Sequence, residues 1–94
     1  MKVLINTQYG GYSISQLALE LIAERKQVPT IDQYSLPRTD PDAIHVFNQL
    51  GSEVFSGRLA DVSLREITAD KYFIDEYDGM ETIVTPDQIK WLTA

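Results

Sequence analysis

Lys2-Val3-Leu4-Ile5-Asn6-Thr7-Gln8-Tyr9-Gly10-Gly11-Tyr12-Ser13 sets the layout of this chain, because an apolar strand here runs into a helix start. Lys2 to Asn6 reads as a strand apolar on both faces, and therefore central in its sheet. After the glycines, Ser13 and Gln16 match a capping box, with Tyr12 and Leu17 at the positions of a hydrophobic staple. Ile14, Leu17, Ala18, Leu21 and Ile22 then follow one helical face, and Arg25 and Lys26 suit the negative end of the helix. The pattern predicts a helix over 14–26.

Downstream, Gln27 to Leu36 is a connection bounded by prolines at 29 and 37. A second helix is expected to start at Thr39 or Asp40, with Pro41 in its first turn and Gly51 at its end. Ala43, Val46, Phe47 and Leu50 supply its buried face. Beyond Gly51 the period changes to two. Ala60, Val62 and Leu64 alternate with Asp61, Ser63 and Arg65. Tyr72 to Tyr77 and Met80 to Thr85 flank Asp78-Gly79, the preferred pair of a type I′ hairpin. Thr85-Pro86-Asp87-Gln88 reads as a further capping box, opening a short terminal helix through Ile89, Trp91 and Leu92, with Trp91 as a core plug or lid. The expectation is a single α+β domain over 1–94. Its small, mostly antiparallel sheet comprises the N-terminal strand and a C-terminal three-strand meander, with two helices on one face and a short C-terminal helical turn. The position of the first strand in that sheet is left open.

Composition narrows the function classes. With 94 residues, 44% of them apolar, the chain is long enough for one core. It has no cysteine, which removes disulfides, thiolate nucleophiles and Cys-based metal sites. Met1 to Ile5 is too short for a leader's apolar region, and no stretch approaches a membrane span. The net charge is −6, from 14 acidic and 8 basic residues, so duplex nucleic acid is a poor partner.

Three places carry candidate chemistry. Asn6, Tyr9, Gly10, Gly11, Tyr12 and Ser13 fit either a tight turn or a seat for a phosphate or base, since glycine allows close backbone approach. Neither a dinucleotide fingerprint nor a P-loop is present. Arg38 and Thr39, before the second helix, either join that anion site or serve as a surface pair and a cap. Asp75, Glu76, Asp78 and Glu81 make the hairpin acidic, with Glu76 directly opposite Glu81. They suit a basic protein partner or a solvated edge, whereas two strand carboxylates make a weak metal cage. His45 lies off the buried stripe and no nucleophile motif supports it. No cofactor or metal is implied.

The start Met1 to Ser15, read as Met-Lys-Val-x-Ile-Asn-x-x-Tyr-Gly-Gly-aromatic-Ser-x-Ser, resembles a group of small proteins of tailed bacteriophages and prophages. Arg38 to Pro41, Leu50-Gly51, Glu66-Ile67 and Glu76 to Glu81 match further motifs of that group. The segment after Val84 does not match. The resemblance implies a source, with no activity attached. Together with small size, acidity and no catalytic set, it leads to the expectation of a non-catalytic phage accessory protein in the cytoplasm of the infected bacterium. Such a protein would act by binding, as a host-defence antagonist. One form sequesters a nucleotide-type or other anionic signal, with a ligand shared across a homo-oligomer as an option. The alternatives are an inhibitor that binds a host protein through the acidic hairpin, a small hydrolase, or a virion component.

Overall fold

The computed structural model describes residues 1–88, which form an α+β unit. The order is β1 (Lys2–Asn6), α1 (Gln16–Lys26), a 3₁₀ turn (Gln33–Ser35), α2 (Pro41–Leu50), α3 (Ser52–Phe55), β2 (Val62–Glu66), β3 (Phe73–Tyr77), β4 (Met80–Val84) and a closing 3₁₀ turn (Pro86–Gln88). Ile89, Trp91 and Leu92, assigned above to a terminal helix, lie outside the described residues.

The strands divide into two antiparallel pairs, β1 with β2 and β3 with β4, where the sequence led us to expect a meander joining β2 to the hairpin. In the first pair Leu4 faces Leu64 and Asn6 faces Val62. Leu4 and Val62 join Ile14, Ala18, Ile22, Ala43, Val46 and Phe55 in the buried core, so the helices cover this face of the sheet. Phe47 and Phe55 close the core edge-to-face with ring centres 5.4 Å apart. The other face of β1, Val3 and Ile5, is buried too, which accounts for its unbroken apolar run.

The division of the sheet has a local cause. On the edge of β1 away from β2, the Leu4 N–H donates to the Arg38 carbonyl at 2.9 Å. The Asn6 N–H donates to the Glu81 carboxylate at 2.8 Å. The hairpin therefore adjoins β1 rather than β2, and a side chain of β4 fills the place of a ladder carbonyl. Satisfying that edge through side chains removes the requirement for a continuous backbone ladder.

α1 begins two residues later than the periodicity suggests. Ser15, not Ser13, is the N-cap, its hydroxyl accepting from the Ala18 N–H. Ile14 is held extended in a bridge with Ser56. The Ser15 N–H donates to the Phe55 carbonyl, and the Gly57 N–H donates to that of Ser13. These tertiary bonds outcompete a first helical turn at 14–15. Leu17 is 48% exposed and Tyr12 packs elsewhere, so the expected staple does not form. α3, which follows Gly51 at once, has no counterpart in the sequence reading because one turn carries too little periodicity. α2 starts as expected, with Asp40 accepting from the Ala43 N–H at 2.9 Å. Lys26 at the end of α1 donates to Asp40 at 2.7 Å and Asp42 at 2.9 Å, joining the two helices end to start.

Candidate functional site

Asp78 and Gly79 take φ of 55° and 90°, the left-handed pair of a type I′ turn, and Tyr77 and Met80 close it. A Cβ on Gly79 would lie 2.2 Å from the Gly11 nitrogen and 2.7 Å from that of Gly10. The tip of the hairpin thus rests backbone to backbone on the Gly10-Gly11 loop, and the Gly10 N–H donates to the Asp78 carbonyl at 3.2 Å. The glycine pair is a seat for another part of the same chain. It lies several residues before the first turn of α1, so no helix start is aimed at it.

Asn6 ties this seat together. It is 0% exposed. Its amide donates to the carbonyls of Gln8 and Gly79, both at 2.6 Å, and its oxygen accepts from the Asp61 N–H at 2.9 Å. Every polar atom of that side chain is occupied within the protein.

Arg38 and Glu81, placed by the sequence in two separate candidate sites, meet. The guanidinium donates to both carboxylate oxygens, at 2.6 and 2.9 Å, in the forked geometry arginine favours. Glu81 is only 7% exposed, so it belongs to the interior rather than to the acidic surface of the hairpin. The guanidinium carbon also sits 3.5 Å above the centre of the Tyr12 ring. Burial, with Glu81 adding a smaller push, drives the Tyr12 phenol up to about 12 against the opposing pull of Arg38.

Glu76 does face Glu81 across the hairpin, as the register required. Arg38 neutralises one of the two, and Glu76 accepts from the Gly79 N–H. A cavity of about 300 Å³ opens beside this group, lined among others by Tyr12, Gln33, Tyr34, Arg38, Glu76 and Glu81. Its fixed charges are two carboxylates and one guanidinium already paired with one of them. An excess of negative charge favours a cation over an anion. The sequence marks Tyr34 only as part of an apolar patch with Val28 and Ile31, and neither it nor Gln33 as a site residue, because both sit in a short 3₁₀ turn with no motif signal.

Tyr9 is exposed, Ser13 and Thr39 are half-buried, and none of the three reaches the Arg38–Glu81 pair through a side-chain bond. The outer side of the hairpin is open. Phe73, Asp75 and Tyr77 alternate on one face of β3; Phe73 is 53% and Tyr77 74% exposed, and Asp75, Glu76 and Asp78 are exposed beside them. A second, larger cavity of about 590 Å³ lies between the two sheets, with Ile5, Ile67, Met80 and Ile83 in its wall. His45 is exposed on α2. Among the described residues no cluster of histidine and carboxylates is placed to hold a metal ion. No helix among them is long and apolar enough to cross a membrane. Comparison with family models, curated proteins and solved structures gave no match.

Proposed function

We propose that this chain acts by binding a protein, through the outer surface of the β3–β4 hairpin, without catalysing a reaction. The observation that carries this reading is the open face of β3, where two exposed aromatic rings flank Asp75, with Glu76 and Asp78 alongside. Exposed tyrosine and phenylalanine on a rigid strand give contact area at low entropic cost, and the acids select a basic partner. The resemblance of Met1 to Ser15, Arg38 to Pro41 and Glu76 to Glu81 to motifs of bacteriophage proteins supports an accessory role in the cytoplasm of an infected bacterium, with a component of host defence as the target. The test is capture from bacterial lysate on immobilised protein, followed by affinity measurement with the purified partner. Binding is expected to weaken as salt rises, and to weaken further with Asp75→Lys or Glu76→Lys. Salt-insensitive binding that both substitutions leave intact would sink the reading.

A second reading, sequestration of a nucleotide-type signal, has in its favour the rings of Tyr12 and Tyr34 gathered with Gln33 and Arg38 at one cavity, and against it the excess negative charge of that cavity, which opposes a phosphate. The contact here is with the base, stacked on the exposed Tyr34 ring, since Arg38 is committed to Glu81. Calorimetric titration with mononucleotides tests it. Loss of one stacking ring in Tyr34→Ala is expected to cost about 1–3 kcal/mol, and unchanged affinity would remove the cavity from consideration.

A further inference from the structure

β3 has no strand on its far side among the described residues. The turn closes on Tyr77 and Met80, so the alternation of an antiparallel ladder assigns the bonded pairs to Tyr77, Asp75 and Phe73. The backbone N–H and C=O groups of Ile74 and Glu76 consequently point away from β4, and no described backbone group bonds to them. This is a template for one more strand. A different edge, that of β1, is closed by Arg38 and Glu81.

Charge decides what this edge admits. Between Tyr72 and Thr85 the exposed charges are Asp75, Glu76 and Asp78, Glu81 being buried against Arg38, and the segment has no lysine or arginine. A second copy paired antiparallel about Asp75 would set that carboxylate against itself, an unfavourable arrangement. A neutral strand gains nothing from the acids. A basic strand gains on both faces. Residues opposite Asp75 share the outer face with Phe73 and Tyr77, and a residue opposite Glu76 shares the inner face that carries Glu76 and Glu81. That inner side holds the cavity of about 300 Å³, whose wall includes Tyr12, Tyr34, Glu76 and the Arg38–Glu81 pair, so that Glu76 is the carboxylate left without a cationic partner there. A long cationic side chain suits this wall, its stem against the Tyr34 ring and its head at Glu76, since Arg38 already covers the Tyr12 ring.

We infer that the edge of β3 takes an extended, lysine- or arginine-bearing segment of a protein partner as a third strand, one basic side chain entering the cavity beside Glu76. This rests on the hairpin-binding reading above and specifies its mode. The test uses a defined probe, a capped octapeptide of alternating threonine and lysine, added to isotope-labelled protein. Amide exchange and chemical shifts are followed by nuclear magnetic resonance. In the free protein the Ile74 and Glu76 amides exchange faster than those of Phe73, Asp75 and Tyr77. Adding the probe is expected to slow exchange at Ile74 and Glu76 several-fold and to shift the ring signals of Tyr34. A matching threonine–glutamate peptide is expected to do neither.

Shifts at Phe73, Asp75 and Tyr77 without new protection at 74 and 76 would overturn strand addition and leave hairpin binding standing. No response anywhere in the hairpin would count against both. Protection at 74 and 76 that grows with protein concentration in the absence of probe would give the edge to a second copy instead. Glu76→Pro removes an outward N–H together with the carboxylate while leaving the bonded positions intact, so it is expected to abolish the protection that remains readable at Ile74. Glu76→Gln should keep the alternating pattern at weaker affinity.

Discussion

Arg38 and Glu81 hold together three parts of the molecule: the edge of β1, the approach to α2 and the hairpin. The pair is poorly solvated, so removing one partner strands a charge. Arg38→Met is expected to lower stability in urea denaturation by about 3 kcal/mol. Adding Glu81→Gln to that variant should restore part of the loss, because the introduced amide keeps an acceptor for the Asn6 N–H without the unpaired charge. A double variant less stable than Arg38→Met alone would contradict this account. Tyr12 supplies a second test. Its folded pKa, pushed up to about 12 by burial, exceeds the ordinary 10.0. The proton is therefore held more tightly in the folded state, and that contribution is complete below pH 10 and lost as pH rises toward 12. Stability should fall across this window in the native protein and fall less in Tyr12→Phe, measured by denaturation at stepped pH.

At the scale of elements, the hairpin and its seat form the decisive joint. Gly79→Ala forces a Cβ into the backbone of Gly10 and Gly11 and strains a φ of +90°, so it is expected to cost roughly 1–3 kcal/mol. Amide protection should fall at 10–11 and in β4, while α1 and α2 keep theirs. Much at this scale was legible in the sequence. Pro41 and Asp40 announced α2, and Asp78-Gly79 announced the turn, the register and the Glu76–Glu81 pairing, because each rests on chemistry within a few residues. The start of α1 was misplaced because Ser13 and Ser15 look alike locally. What separates them is a bridge to Ser56 and Gly57, far along the chain.

Across the whole molecule, the division into two sheets follows from contacts of similarly long range. No pattern in Leu4 or Asn6 reveals that an arginine carbonyl and a glutamate side chain will complete their bonds. The candidate site was half legible for the same reason. The motif residues Gly10, Gly11, Arg38 and Glu81 stood out in the sequence, yet their partners turned out to be other parts of the same chain. The hairpin meets the rest of the fold mainly through side chains and one backbone seat, and β1–β2 is covered by helices. Native-state hydrogen exchange should therefore show two tiers, with β3 and β4 opening at lower free energy than β1 and α2. A single uniform opening energy would contradict that.

Joining two sheets through a guanidinium and a carboxylate also affects how such a chain can change over generations. A backbone ladder fixes register and face for every strand added to it. A seam of side chains fixes only its own few atoms. Substitutions on the outer face of β3 leave Asn6, Arg38, Glu81 and the glycine seat untouched, so that face is free to vary while the scaffold stays constant.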